Sequence, residues 1–197
     1  MGEGDPAAGG FYYKFVTKDI VYFDLETQRT AGDVGGWNRK QLMKVSLAVI
    51  FSTKDGNYTI YPEKQVGELV TRLQRADMVV GYNILHFDYE VLMGYTVLDL
   101  PHYLPTLDLM VDVERAVGHR LALNALAQAT LGIGKIADGL DAIRWWREGK
   151  LLQIAEYCCF DVKVTRLVHE YALQHGELFY TDRFFRKRKI SVNWRCL

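Results

Sequence analysis

Residues 20–25 (IVYFDL) are a run of β-formers interrupted by one carboxylate near its end, which predicts a central strand buried on both faces. Residues 27–40 (TQRTAGDVGGWNRK) are polar and glycine-bearing and predict a loop; residues 45–51 (VSLAVIF) return to strand chemistry. Asp55-Gly56 is a hairpin signal with residues 58–61 (YTIY) as the returning strand, so the sheet is expected to open with three neighbouring antiparallel strands. The pattern then mixes. It predicts an amphipathic helix over 63–73, a short buried strand over 78–81, a helix starting over 88–93 and another short strand over 106–110. Apolar spacing of the 3.6 type predicts helices over 121–131 and 151–174. Residues 178–181 and 189–194 read as a closing hairpin around the basic turn 183–189 (RFFRKRK). The order implies an α/β fold: a mixed sheet of three leading antiparallel strands followed by parallel ones, flanked by helices, with a C-terminal β-hairpin.

A chain of 197 residues fits one domain, and 49% hydrophobic residues are enough to fill its core. Residues 1–10 (MGEGDPAAGG) read as a flexible leader before a single domain over 11–197, in which 178–197 is the appended hairpin. Lys plus Arg and Asp plus Glu each number 24, which argues against a polybasic protein held by a uniform positive field but leaves room for a local basic groove. Three cysteines, two of them adjacent at Cys158 and Cys159, form neither a disulfide framework nor a zinc-binding set and point to a reducing, cytoplasmic interior. No apolar run reaches the ~18 residues of a membrane span.

Asp24 and Glu26 stand two apart at the end of the first strand, so strand geometry puts both on one face. Two like charges in a buried strand ask for a raised pKa or a bound cation, unless the pleat turns one of them into solvent. Asp88 falls at a strand-to-helix junction (residues 81–92, GYNILHFDYEVL), where its plainer role is to cap backbone N–H groups. Tyr157 and Asp161 are four apart on the long late helix and project together, either as a buried pair needing a partner or as a contact at the edge of the apolar stripe.

These stretches occur in one order: FDLET at 23–27, YNILHFD at 82–88 and YCCFD at 157–161. Together they resemble the DEDD (DnaQ-like) superfamily of 3'-5' exonucleases, which have an RNase H-like fold, and specifically the subgroup with tyrosine in the third motif. The second motif looks most like the proofreading domains of family B DNA polymerases. The whole chain looks more like bacterial RNase H-like domains found alone or beside helicases, which share a segment similar to residues 123–139 and a closing Trp like Trp194. The resemblance implies that Asp24, Glu26, Asp88 and Asp161 hold two Mg²⁺ or Mn²⁺ ions and that Tyr157 orients the attacking water. An all-oxygen set suits those hard cations, and two ions ~4 Å apart serve phosphodiester hydrolysis. The implied substrate is single-stranded DNA or RNA with a free 3' end, DNA favoured over RNA.

Thr27 and Asn83, inside the motifs, and Trp37, Arg39 and Lys135, outside them, are candidate substrate contacts, as is the basic hairpin 186–189. For the latter group the plainer roles are solvated charges or a packed aromatic. Asp108 reads as a helix cap, His86 as a structural histidine, and Cys158 and Cys159 as small buried hydrophobes. Trp145 and Trp146 cannot both face the core on one helix, which predicts that one is exposed or at an interface. A catalytically silent nucleic-acid-binding or scaffolding module, possibly helicase-associated, is the alternative from a different class; endonucleolytic cutting on the same fold also stays open.

Overall fold

The computed structural model describes residues 18–134, 136–137 and 139–194; the expected leader 1–10 and Lys135 lie outside them. Strand β1 (Ile20–Thr27) lies at the middle of a five-stranded sheet. Antiparallel β2 (Val45–Ser52) pairs Phe23 with Ile50 and Asp24 with Val49, and β3 (Asn57–Pro62) returns through the Asp55-Gly56 turn. On the other side β4 (Met78–Gly81) and β5 (Thr106–Asp108) run parallel, giving the order β3-β2-β1-β4-β5. This is the expected α/β fold and mixed sheet.

Period-two alternation divides the core between the two faces. Val21, Phe23 and Leu25 pack with Leu69 and Leu73 of α2 (Val66–Gln74) and with Leu92 of α3 (Asp88–Leu92). Tyr22, Leu47 and Val49 pack on the opposite side against α8 (Leu151–His175), whose Ile154, Cys158 and Val162 recur every four residues. Gly81 closes β4 where no side chain fits: a Cβ there would overlap Ile84 and lie 3.0 Å from the Phe23 carbonyl.

The segment 27–40 departs from the predicted loop. It holds a one-turn helix, α1 (Ala31–Val34), and the start of a 3₁₀ segment over Trp37–Leu42. Thr30 and Asp33 form a reciprocal capping box there, a signal concealed by the glycines around it. The predicted strand 106–110 is shorter because Asp108 caps α5 (Leu109–Val117) by accepting from the Met110 N–H at 3.0 Å. After α4 (Leu100–Tyr103), α6 (Leu123–Leu131) and α7 (Gly139–Arg147), the chain ends in the hairpin β6 (Glu177–Thr181) and β7 (Lys187–Ser191), whose second strand starts earlier than predicted. Thr130 fastens that hairpin to α6 by accepting from the Phe179 N–H at 2.9 Å and donating to its carbonyl at 3.1 Å. Trp145 and Trp146 are both half-buried and both pack against the core, so the expectation that only one of them could face it does not hold. Among the described residues no helix is long and apolar enough to cross a membrane.

Candidate active site

The β1–β4 ladder ends at the Tyr22–Val80 pair, so β1 runs on past its parallel neighbour. The Leu25 N–H that follows is accepted by Asp88 Oδ1 at 3.0 Å. Asp88 is the first residue of α3 and is only 2% exposed; its carboxylate accepts both from β1 and from its own N–H, while the N-cap position belongs to Phe87. Near the end of β1 a β-bulge shifts the register between Glu26 and Thr27, so that Glu26 faces Leu47 and Thr27 faces Val45.

On the α8 side of β1, carboxylate oxygens of Asp24, Glu26 and Asp161 all lie within 4.8 Å of one another. Tyr157, one turn before Asp161 on α8, is hydrogen-bonded to the Asp161 side chain. All five residues line a cavity of about 660 Å³, walled by α1 on one side and by Leu140 and Ile143 of α7 on another. An ion pair between Arg147 and Asp33 at 2.7 Å ties those two walls together.

Crowding and burial set the protonation of these groups. Burial, then the negative charges of Asp88, Glu26 and Asp161, hold the Asp24 carboxyl well above the usual range. Burial, then Asp161 and Asp88, do the same for Glu26. Burial pushes Asp88 up to about 8, against the opposing Leu25 N–H hydrogen bond. Burial and the adjacent carboxylates also raise the Tyr157 phenol, so its hydroxyl keeps its proton at neutral pH. A cluster that resists ionisation by itself and offers only oxygen donors is one that a hard divalent cation would stabilise, so these residues fit such an ion.

Among the expected substrate contacts, Thr27, Trp37 and Asn83 line the cavity. Asn83 has a left-handed backbone (φ 67), its N–H is held by Asp108 at 2.8 Å, and its buried Oδ1 has no partner among the described residues. Trp37 is 66% exposed and meets Phe87 edge-on at 6.4 Å. Arg39 is not brought into the cavity: the glycine turn at Gly35 and Gly36 folds its guanidinium back over Gly35. Arg29 stands in the cavity wall instead, bonded to the Leu42 carbonyl at 3.3 Å. Nothing in the polar run 27–40 distinguishes the two arginines; the fold of α1 does. His86 is exposed and lines a neighbouring cavity. Cys158 is fully buried, and its thiol donates to Asp24 Oδ2 at 3.3 Å, which makes it more than the apolar filler expected. The available signal was its place on the α8 stripe that faces the even-numbered residues of β1.

The family model of the RNase_H superfamily matches residues 21–173. Among solved structures, the chain is similar to the family B DNA polymerase of the hyperthermophilic archaeon Pyrobaculum calidifontis, with a TM-score of 0.59 and 17% identity over 87% of this chain and 25% of the polymerase. It is also similar to Trypanosoma brucei RNase D, with a TM-score of 0.56 and 15% identity over 77% of this chain and 56% of that one. At such identities the likeness is one of fold, and the chain spans a quarter and about half of the two proteins. No curated protein matches the sequence.

Proposed function

The chain belongs to the RNase_H superfamily, and from that premise we propose that it is a metal-dependent 3'-5' exonuclease acting on single-stranded nucleic acid, DNA favoured over RNA, and releasing nucleoside monophosphates. The observation that carries this reading is the convergence of Asp24 and Glu26 from β1, Asp88 from α3 and Tyr157 and Asp161 from α8 on one cavity. Mg²⁺ or Mn²⁺ would be held by Asp24, Glu26 and Asp161, with Asp88 beside them. When bound, such ions lower the pKa of water and offset charge building on the scissile phosphate.

The protein's own groups supply the rest. Tyr157, protonated and tied to Asp161, offers its hydroxyl to aim a water at phosphorus. Asp88 holds β1 by the Leu25 N–H and so fixes the separation of Asp24 and Glu26. The Asn83 Oδ1, with no partner among the described residues, is a hydrogen-bond acceptor for the terminal nucleotide, and Trp37 with Phe87 presents a face for its base. Arg29 offers its guanidinium to the phosphate.

The test is a time course on 5'-labelled single-stranded DNA and RNA of one sequence, with Mg²⁺, with Mn²⁺ and with chelator, for the parent chain and for Asp161→Asn. Stepwise shortening from the 3' end that needs the cation and Asp161 is expected. A few fixed internal products would replace this reading by endonucleolytic cutting, and strand binding with no cleavage in either cation would favour the silent module.

A further inference from the structure

In a chain with equal numbers of acidic and basic residues, β6, β7 and their turn set Arg183, Arg186, Lys187, Arg188 and Lys189 against only Glu177 and Asp182. Asp182 organises the turn: its carboxylate accepts the N–H groups of Phe184 at 2.8 Å and Arg186 at 3.0 Å and pairs with Arg186 and Arg188. Arg183 instead lies over the Phe184 ring at 4.8 Å, and Lys187 over Phe179 at 4.4 Å. Phe185, at the tip, is 92% exposed and left-handed at φ 59, a conformation an L-residue with a bulky side chain rarely adopts. Strain spent to hold an aromatic ring in water, among cations stacked on other rings, is the surface chemistry that binds a phosphate backbone with unpaired bases.

The α5–α6 connection links this surface to a cavity beside the acidic one. A cavity of about 830 Å³ lies between the hairpin and the α5–α6 connection, lined by His119 and Tyr180, whose rings meet edge-on at 6.0 Å, and by Arg183 and Arg188. Arg120, the next residue, lines a second cavity of about 530 Å³ with Lys40 and His86. That second cavity shares Trp37, Asn83 and Phe87 with the carboxylate cavity. The hairpin cavity is joined to these two through the chain at His119-Arg120; Arg29, Lys40, Arg120 and Arg183 line the three, Lys40 and Arg120 in ion pairs with Glu90 and Glu114.

We infer that the β6–β7 hairpin is a second nucleic-acid site, which grips the single strand several nucleotides upstream of the 3' end seated at the carboxylates. The inference rests on the nuclease reading for what occupies the carboxylate cavity. It is tested in the full chain carrying Asp24→Asn, by fluorescence anisotropy with labelled single strands of about 4 and about 20 nucleotides, lengths that bracket a typical single-strand site. Arg183→Ser with Lys187→Ser spares the Asp182 network, and Phe185→Asn suits the left-handed turn.

Combining the three substitutions is expected to lower affinity for the longer strand about tenfold or more, to bring the long-to-short affinity ratio towards one, and to reduce the salt slope by about 1. An unchanged ratio and slope, in a variant whose melting curve matches its parent, would overturn the inference. So would a hairpin that binds anionic phospholipid vesicles but contributes nothing to strand affinity. Hairpin-dependent strand binding by a parent chain that degrades neither DNA nor RNA would sink the nuclease reading and keep this one. Should the triple variant melt early, Phe185→Asn alone must still lower the ratio, or the inference fails.

Discussion

Along β1, Val21, Phe23 and Leu25 enter a wholly apolar layer, while Tyr22, Asp24 and Glu26 point the other way, towards α8. The first face has every reason to be stable: Phe23 is 1% exposed and stacks on Tyr89 at 6.4 Å. The second face starts equally apolar at Tyr22, then within four residues places carboxylates where burial and mutual repulsion oppose their charge. One strand thus serves as an anchor on one side and as a platform for unfavourable charge on the other. The apolar face supplies the stability that the acidic face spends.

The sharpest way to break that asymmetry is Asp24→Asn. Nuclease activity is expected to fall about 10³-fold or more, since several kcal/mol of ion-derived stabilisation would go. The metal-free protein should nevertheless melt higher than its parent, because a buried group that must either bear a like charge or take up a proton on folding has been removed, and the rise in melting temperature on adding Mn²⁺ should vanish. Scanning calorimetry with and without the ion checks both; a metal-free melting point below the parent's would contradict the picture. Phe23→Ala is the mirror experiment: a loss of about 3–5 kcal/mol in urea unfolding, from a cavity on the anchoring face. Its Mn²⁺-induced gain in stability should persist.

The site and the α8 face beside it contain two opposed pH responses. The raised carboxyl of Asp88 binds its proton more tightly in the native state, so metal-free stability should fall as pH rises from 3.8 to about 8. His169, buried beneath Tyr22 and sharing a 2.9 Å hydrogen bond with its hydroxyl, is lowered by burial from 6.5 to about 4. Its contribution is present above 6.5 and is lost as pH falls towards 4, by at most about 3 kcal/mol. His169→Gln should flatten that acid limb alone, as read from urea midpoints at a series of pH values. The smallest effect expected is that of Cys158→Ala. It removes the thiol donor to Asp24 at a cost of about 1 kcal/mol and weakens Mn²⁺ binding a few-fold, measured by titration calorimetry. Cys158→Ser should restore the binding.

Much of this was legible in the linear pattern. The strand at 78–81, the long helix from 151 and the three leading antiparallel strands follow from apolar periodicity and an Asp-Gly turn. The placing of Asp24 with Glu26, and of Tyr157 with Asp161, follows from the strand and helix repeats, because such relations act over a few residues and need no knowledge of the fold. The capping role of Asp108 followed in the same way, although its second task, holding Asn83 and Leu85 by their N–H groups, spans a loop and did not.

Tertiary structure alone decided the rest. Whether Asp88 caps its own helix or serves a strand 63 residues earlier depends on where the β1–β4 ladder stops. Whether Arg29 or Arg39 reaches the cavity depends on a one-turn helix and two glycines with positive φ. That Cys158 donates to Asp24 depends on the register of α8 over the sheet. Local spacing determines which side chains share a face, because backbone geometry repeats every two or 3.6 residues. Which faces then meet is decided by packing among distant segments, and the raised pKa values of Asp24, Glu26 and Asp88 follow from that meeting.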